Sequence, residues 1–302
     1  MITAVTAVVM NHTRVGFPRW HVHPDVWAIM LLIEGAYVVA LRREVDRRGP
    51  GSKAPVARPY QVVAFTAGVL TLWIASDWPI HDLAEHYLYS IHMVQHLMMT
   101  LVAAPLLLLG TPAWLARRLL SPPWVRAPVR TISRPIPNLI QFNAILVLSH
   151  WPVIVEGTLR HHPLHFVAHA VLVVSALLMW LPIVSPTKEV PRLAPLAQMV
   201  YLFLQTIIPT IPASFLTFGH TLLYPIYGTF PRLWGASAIA DQQVSGLIMK
   251  IGAGFYLWMW IFTIFFRWYA SEEGRRKKKP DVVVWDEVEL ELQRLEEPGG
   301  LR

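Results

Sequence analysis

The stretch SIHMVQHLMMTLVAAPLLLLG, Ser90 to Gly110, decides the fold class. It carries two histidines and no Asp, Glu, Lys or Arg, and at 1.5 Å per residue it spans about 30 Å, the thickness of a bilayer's hydrocarbon core. Working outward, it belongs to an apolar segment from His86 to Gly110. Six more of the same kind lie at Val26–Leu41, Gln61–Ala75, Ile136–Val155, Leu164–Val184, Pro195–Phe218 and Val244–Trp268. Lipid cannot satisfy free backbone amides, and no ten-residue alternation suggests a barrel, so each segment is expected to be a helix. The expected fold is all-α, a polytopic membrane protein built as a bundle of seven transmembrane helices. The first two segments are short by count, and Trp27, Arg42 and Trp78 stand where they can anchor them at the interfaces.

Composition agrees with this reading. With 54% hydrophobic and 15% charged residues the chain is too apolar for an ordinary soluble domain, and its net charge of +7 has to be judged by position. There is no cysteine, which excludes disulfides, thiolate metal sites and cysteine nucleophiles and leaves His, Met and carboxylates as ligands. The opening MITAVTAVVM lacks a basic start and a clear cleavage site, so it is expected to be an uncleaved tail.

Charge orients the bundle. Six Lys or Arg fall between Arg42 and Tyr60, five between Thr111 and Pro135, two around Lys188 and Arg192, and six between Arg267 and Lys279. The alternate loops are nearly free of them. By the positive-inside rule the N-terminus is expected outside and the C-terminus in the cytoplasm, which needs an odd number of spans. The division expected is an outer tail over 1–25, a membrane domain over 26–268 and a charged cytoplasmic tail over 269–302.

With that orientation all thirteen histidines fall on the outer side or in the outer half of the bilayer, including His12, His21 and His23 in the tail. On the third span Glu85, Tyr89, His92, His96 and Met99 follow steps of four, three, four and three, which places them on one helix face. His162, His165 and His169 do the same on the fifth. Two imidazoles at i and i+4 make a bidentate metal element. Imidazole suits zinc, copper, iron and nickel, and the thioethers of Met93, Met98 and Met99, with no thiol present, lean towards copper. The plainer reading stands beside it: histidines hydrogen-bonded across helices and methionines packing the bundle. A third uses one histidine from each span as axial ligands of a b-type haem.

The runs SIHMVQHLMMTLVAAPLLLLGTP, HHPLHFVAHA, LLMWLPIVSP and DQQVSGLIMK together resemble the CtaG-type cytochrome c oxidase assembly factors of the caa-oxidase class, a seven-span membrane family, from about Trp73 to Trp268. The resemblance implies a plasma-membrane assembly factor for haem-copper oxidase, with oxidase subunits and membrane lipid as partners, acting at the stage of copper supply. Matching positions are His92, His96, His165 and His169, then Asp241, Gln242 and Gln243. Met93, Met99, His162 and Asp241 are weaker candidate ligands. A metal-free scaffold is the other reading of the family's role. No nucleophile–base–orienter set, phosphate loop or nucleic-acid signature is present, so neither catalysis nor nucleic-acid binding is expected.

Lys250 departs from the resemblance. A lysine at mid-span costs roughly 2.5 to 3.5 kcal/mol on insertion scales, and Glu34 is the one acid deep in a span, so an ion pair between them is one reading and a snorkelling or deprotonated Lys250 the other. Pro105, Pro209 and Pro212 are expected to kink their spans, and IGAG at Ile251–Gly254 to admit a close helix.

Overall fold

A computed structural model describes residues 20–49, 54–278, 288–289 and 292–294. The opening run with His12 and most of the acidic C-terminal segment lie outside the described residues. Every regular element described is helical. The first two spans are α1 (Pro24–Arg48) and α2 (Pro59–Ser76), and α2 is followed by the short α3 (Ile80–His86). The third span is α4 (Tyr89–Leu97), a π-helical turn (Met98–Ala103) and α5 (Ala104–Gly110). Two short helices follow, α6 (Ala113–Leu119) and α7 (Pro123–Ile132). The fourth segment is α8 (Pro135–Ser149) with α9 (Pro152–Arg160); α10 (His162–Val184) and α11 (Pro195–Phe218) are the fifth and sixth. After the single turn α12 (Ile226–Thr229), the last span is α13 (Ala238–Leu247), a second π turn (Ile248–Gly252) and α14 (Ala253–Lys278).

Six of these spans are long and apolar enough to cross a membrane, and the count is seven if the bent pair α8 and α9 forms one span. The bend, 66°, is a departure from the straight helix expected over Ile136–Val155. It has a local cause: Pro152 has no amide hydrogen and pushes Trp151 out of the helical region, so α8 stops and α9 restarts with the proline in its first turn. The last helix runs on past Trp268 to Lys278.

Packing explains which spans form the interior. Trp180 of α10 is fully buried at the centre, and its indole donates to the carbonyl of Thr100 in the first π turn at 2.9 Å. A π turn shifts the register of the side chains that follow, and the one at Met98–Ala103 lies immediately after the helix that carries His92 and His96. Helices approach most closely at glycines other than those of IGAG. A methyl at Gly110 would meet the Phe65 amide nitrogen at 2.3 Å, and one at Gly246 would meet Thr217 Oγ1 at 2.3 Å and the Ala213 carbonyl at 2.7 Å. Gly254 has nothing within 4 Å, and at Gly252 the nearest atom is Leu97 Cδ1 at 3.5 Å.

One end of the bundle is tied by hydrogen bonds. Asp77, just past α2, accepts from the Trp27 indole at 2.6 Å, the Trp73 indole at 3.1 Å, its neighbour's amide at 2.8 Å and His23 Nδ1 at 2.9 Å. Four donors satisfy this buried carboxylate and pin the start of α1 to the end of α2. Trp27 therefore does more than sit at an interface. The histidines gather at this same end.

Candidate metal centre

The i, i+4 spacing that makes His92 and His96 neighbours on α4 does the same for His165 and His169 on α10, and the two helices present these faces to each other. Ring centroids are 4.2 Å apart within each pair, 5.2 Å between His96 and His169, and 6.0 Å between His92 and His165. His96 Nε2 and His169 Nε2 face each other at 3.2 Å. One ligand nitrogen from each of His92, His96 and His169 falls in a group whose members all lie within 4.8 Å of one another.

These distances test the fit of a metal. Two nitrogens bound at about 2.0–2.1 Å to one tetrahedral ion stand about 3.3 Å apart, which matches the His96–His169 contact. Nδ1 of His92 and Nδ1 of His96 are buried without a hydrogen-bond partner, two orphaned polar atoms that the helix packing leaves unsatisfied. A cavity of about 20 Å³ beside the rings, lined by Ser149, Thr158 and Leu172 among others, has room for about one water-sized occupant. A porphyrin does not fit between His96 and His169 at that separation. The set is all imidazole, neutral donors of intermediate softness.

Several expected ligands have other work. Asp241 Oδ2 accepts from the Tyr89 amide at 2.7 Å and Oδ1 from the Ser90 amide at 3.1 Å. Both amides lie in the first turn of α4 and have no partner within their own helix, so the carboxylate caps α4 from another span and favours the positive end of its dipole. Gln242 accepts from the Leu223 amide and donates to the Thr221 carbonyl, and Gln243 donates to the Gly219 carbonyl, tying down the loop before the last span. Met93 is buried with Tyr89, Val155, Tyr224 and Tyr227, whereas Met99 reaches a groove lined also by His165 and His169. His162 is exposed, its Nδ1 3.9 Å from Glu85 Oε2.

The Glu34–Lys250 pair does not form. Glu34 accepts from Thr66 Oγ1 at 2.8 Å, while Lys250 is exposed with Nζ 6.0 Å from the Phe218 ring centroid. A hydroxyl on the adjacent helix meets one oxygen of the acid, and the exposed lysine sits against the Phe218 ring instead.

A family model described as cytochrome c oxidase caa3 assembly factor matches residues 35–271, which covers both histidine-bearing helices and the Asp241 cap. The chain belongs to this family. The chain is also 25% identical over 251 residues to an uncharacterized protein of Mycobacterium leprae (strain TN), an alignment that covers 77% of this chain and 37% of that protein. The chain thus corresponds to well under half the length of the curated relative it matches. No solved structure matches it.

Three neighbours of the histidine pairs were not among the expected site residues. His150, at the end of α8, donates from Nδ1 to the Leu146 carbonyl at 2.7 Å, which leaves its buried Nε2 bare and unpartnered. Its ring is 5.9 Å from that of His96. A backbone bond at one ring nitrogen that frees the other is the usual posture of a ligating histidine. His81 and Glu85 on α3 flank His165. Their shared spacing of four was visible, but the break at Tyr87–Leu88 sets α3 apart from α4, and only the fold brings its face onto α10.

The cap and ligand roles of Asp241 separate cleanly. Asp241→Ala is expected to lower stability by about 1 to 2 kcal/mol, the value of an N-cap, while the protein that remains folded binds metal as before. Thermal unfolding in detergent with metal analysis of the soluble fraction checks this. Loss of metal at unchanged stability would return Asp241 to the ligand set.

Proposed function

We propose that this chain supports assembly of haem-copper oxidase by holding a copper ion as cargo at the outer face of the plasma membrane, on His92, His96 and His169 with His165 beside them. The observation that carries the reading is the meeting of two histidine pairs from separate spans at ligand spacing. Family membership supplies the oxidase, and the donor chemistry favours copper among the metals an oxidase takes. Charge supports the placement outside. The opposite end of the bundle carries Arg47, Arg48, Arg58, Arg117 and Arg192, where the positive-inside rule puts the cytoplasm. The site needs no redox or hydrolytic step to act. It must bind its cargo in preference to water and release it to an oxidase subunit, a task suited to neutral imidazole donors.

The test is the copper-to-haem ratio of oxidase purified from cells with and without the chain. Without it the oxidase should be present but short of copper, and copper added to the medium should restore part of the deficit. A full copper complement in its absence would end the copper reading and leave the scaffold role.

A further inference from the structure

Next to the three-histidine set lies a second cluster of different chemistry. His81 Nε2 is 3.4 Å and His165 Nε2 3.2 Å from the same oxygen, Glu85 Oε1, and the three ligand atoms fall within 4.8 Å of one another. Glu85 and His165 are buried, and neither ring nitrogen of His165 makes a hydrogen bond. We propose that His81, Glu85 and His165 form a second cation site, with two nitrogens and one carboxylate oxygen, for a divalent first-row ion such as Cu(II) or Zn(II). The proposal rests on the copper reading above for its physiological cargo, though not for its existence.

Position gives the site its role. His81, Glu85 and His165 line a groove of about 420 Å³ between α1, α3 and α10, whose deeper wall is apolar, with Ile29, Met30 and Val173. His165 and His169 line both this groove and the small cavity beside His92 and His96. The second site therefore stands between the groove and the three-histidine set. Asp82, which also lines the groove, adds a second carboxylate, 3.7 Å from His23 Nε2. An ion entering by the groove meets a carboxylate ligand first and the all-nitrogen set second. The carboxylate compensates the loss of hydration at entry, and the all-nitrogen set is the better final match for copper.

Gln95 borders the site. Its Nε2 donates to the Ala75 carbonyl at 2.8 Å and lies 3.2 Å from His81 Nδ1, while its buried Oε1 has no partner.

The test uses the full chain in detergent, dialysed to equilibrium against Cu(II) chloride, with bound copper counted per chain. Wild type should bind two ions. Glu85→Gln, which keeps the shape and removes the charge, should bind one and should load that one more slowly. His81→Gln should do the same and serves if the first variant is poorly folded. The double variant His96→Ala with His169→Ala should also keep one ion, with two-nitrogen coupling in its electron paramagnetic resonance spectrum. One ion in wild type that both Glu85→Gln and His81→Gln retain would overturn the second site and leave the first. No bound copper in wild type would overturn both.

Discussion

Replacing His96 by alanine is expected to strip copper from the three-histidine set, weakening its binding by more than about 100-fold, since loss of a mere outer-shell partner already costs 10 to 100-fold. His92→Ala should act alike. Oxidase from cells carrying either variant should be present but poorly metallated, with partial rescue by added copper. His21→Ala, at an exposed position, should change neither quantity, and the same holds for His12→Ala, outside the described residues. If the histidines only bond across helices, the pattern inverts: folded protein falls by the worth of one interhelical bond, about 0.6 to 2 kcal/mol, with no dependence on copper. Protein level and bound copper measured on the same samples separate the two. Copper at this set unchanged in the double His92 and His96 variant would end the metal role of the third span.

The second large effect is expected at glycines far from any ligand. A β-carbon at Gly110 would fall 2.3 Å from the Phe65 amide nitrogen and 2.5 Å from its Cα, and at Gly246 it would fall 2.7 Å from the Thr217 amide nitrogen. Backbone cannot step aside as a flexible side-chain end does, so α2 and α5, or α11 and α13, must separate. Gly110→Ala and Gly246→Ala should each cost about 3 kcal/mol, the upper end for overpacking, and lower the yield of folded protein several-fold. Gly254→Ala, where nothing lies within 4 Å, should leave stability unchanged within about 1 kcal/mol. Thermal unfolding in a common detergent compares the three. Equal stability of Gly254→Ala and Gly246→Ala would contradict the close contact of α11 with α13.

Periodicity and hydropathy in the sequence alone determined the helical membrane class, the rough limits of the spans and the two histidine pairs. Those properties are local: a twenty-residue apolar run has one stable form in lipid, and i, i+4 side chains share a face whatever surrounds them. What the histidines meet depends on contacts between residues tens of positions apart. Only the fold could give Asp241 to the amides of Tyr89 and Ser90, separate Lys250 from Glu34, and bring His81 and Glu85 to His165. An aspartate after a loop looks the same in sequence whether it binds a metal or caps another helix, because its charge satisfies either. Mid-span acids and bases look paired when their costs are weighed singly, yet here Glu34 takes a hydroxyl from Thr66 and Lys250 stays exposed beside Phe218. The sequence thus decided which side chains could hold a cation. The packing of α3, α4 and α10 decided which of them stand together, because distance between ligands is a property of the assembled helices and not of any one of them.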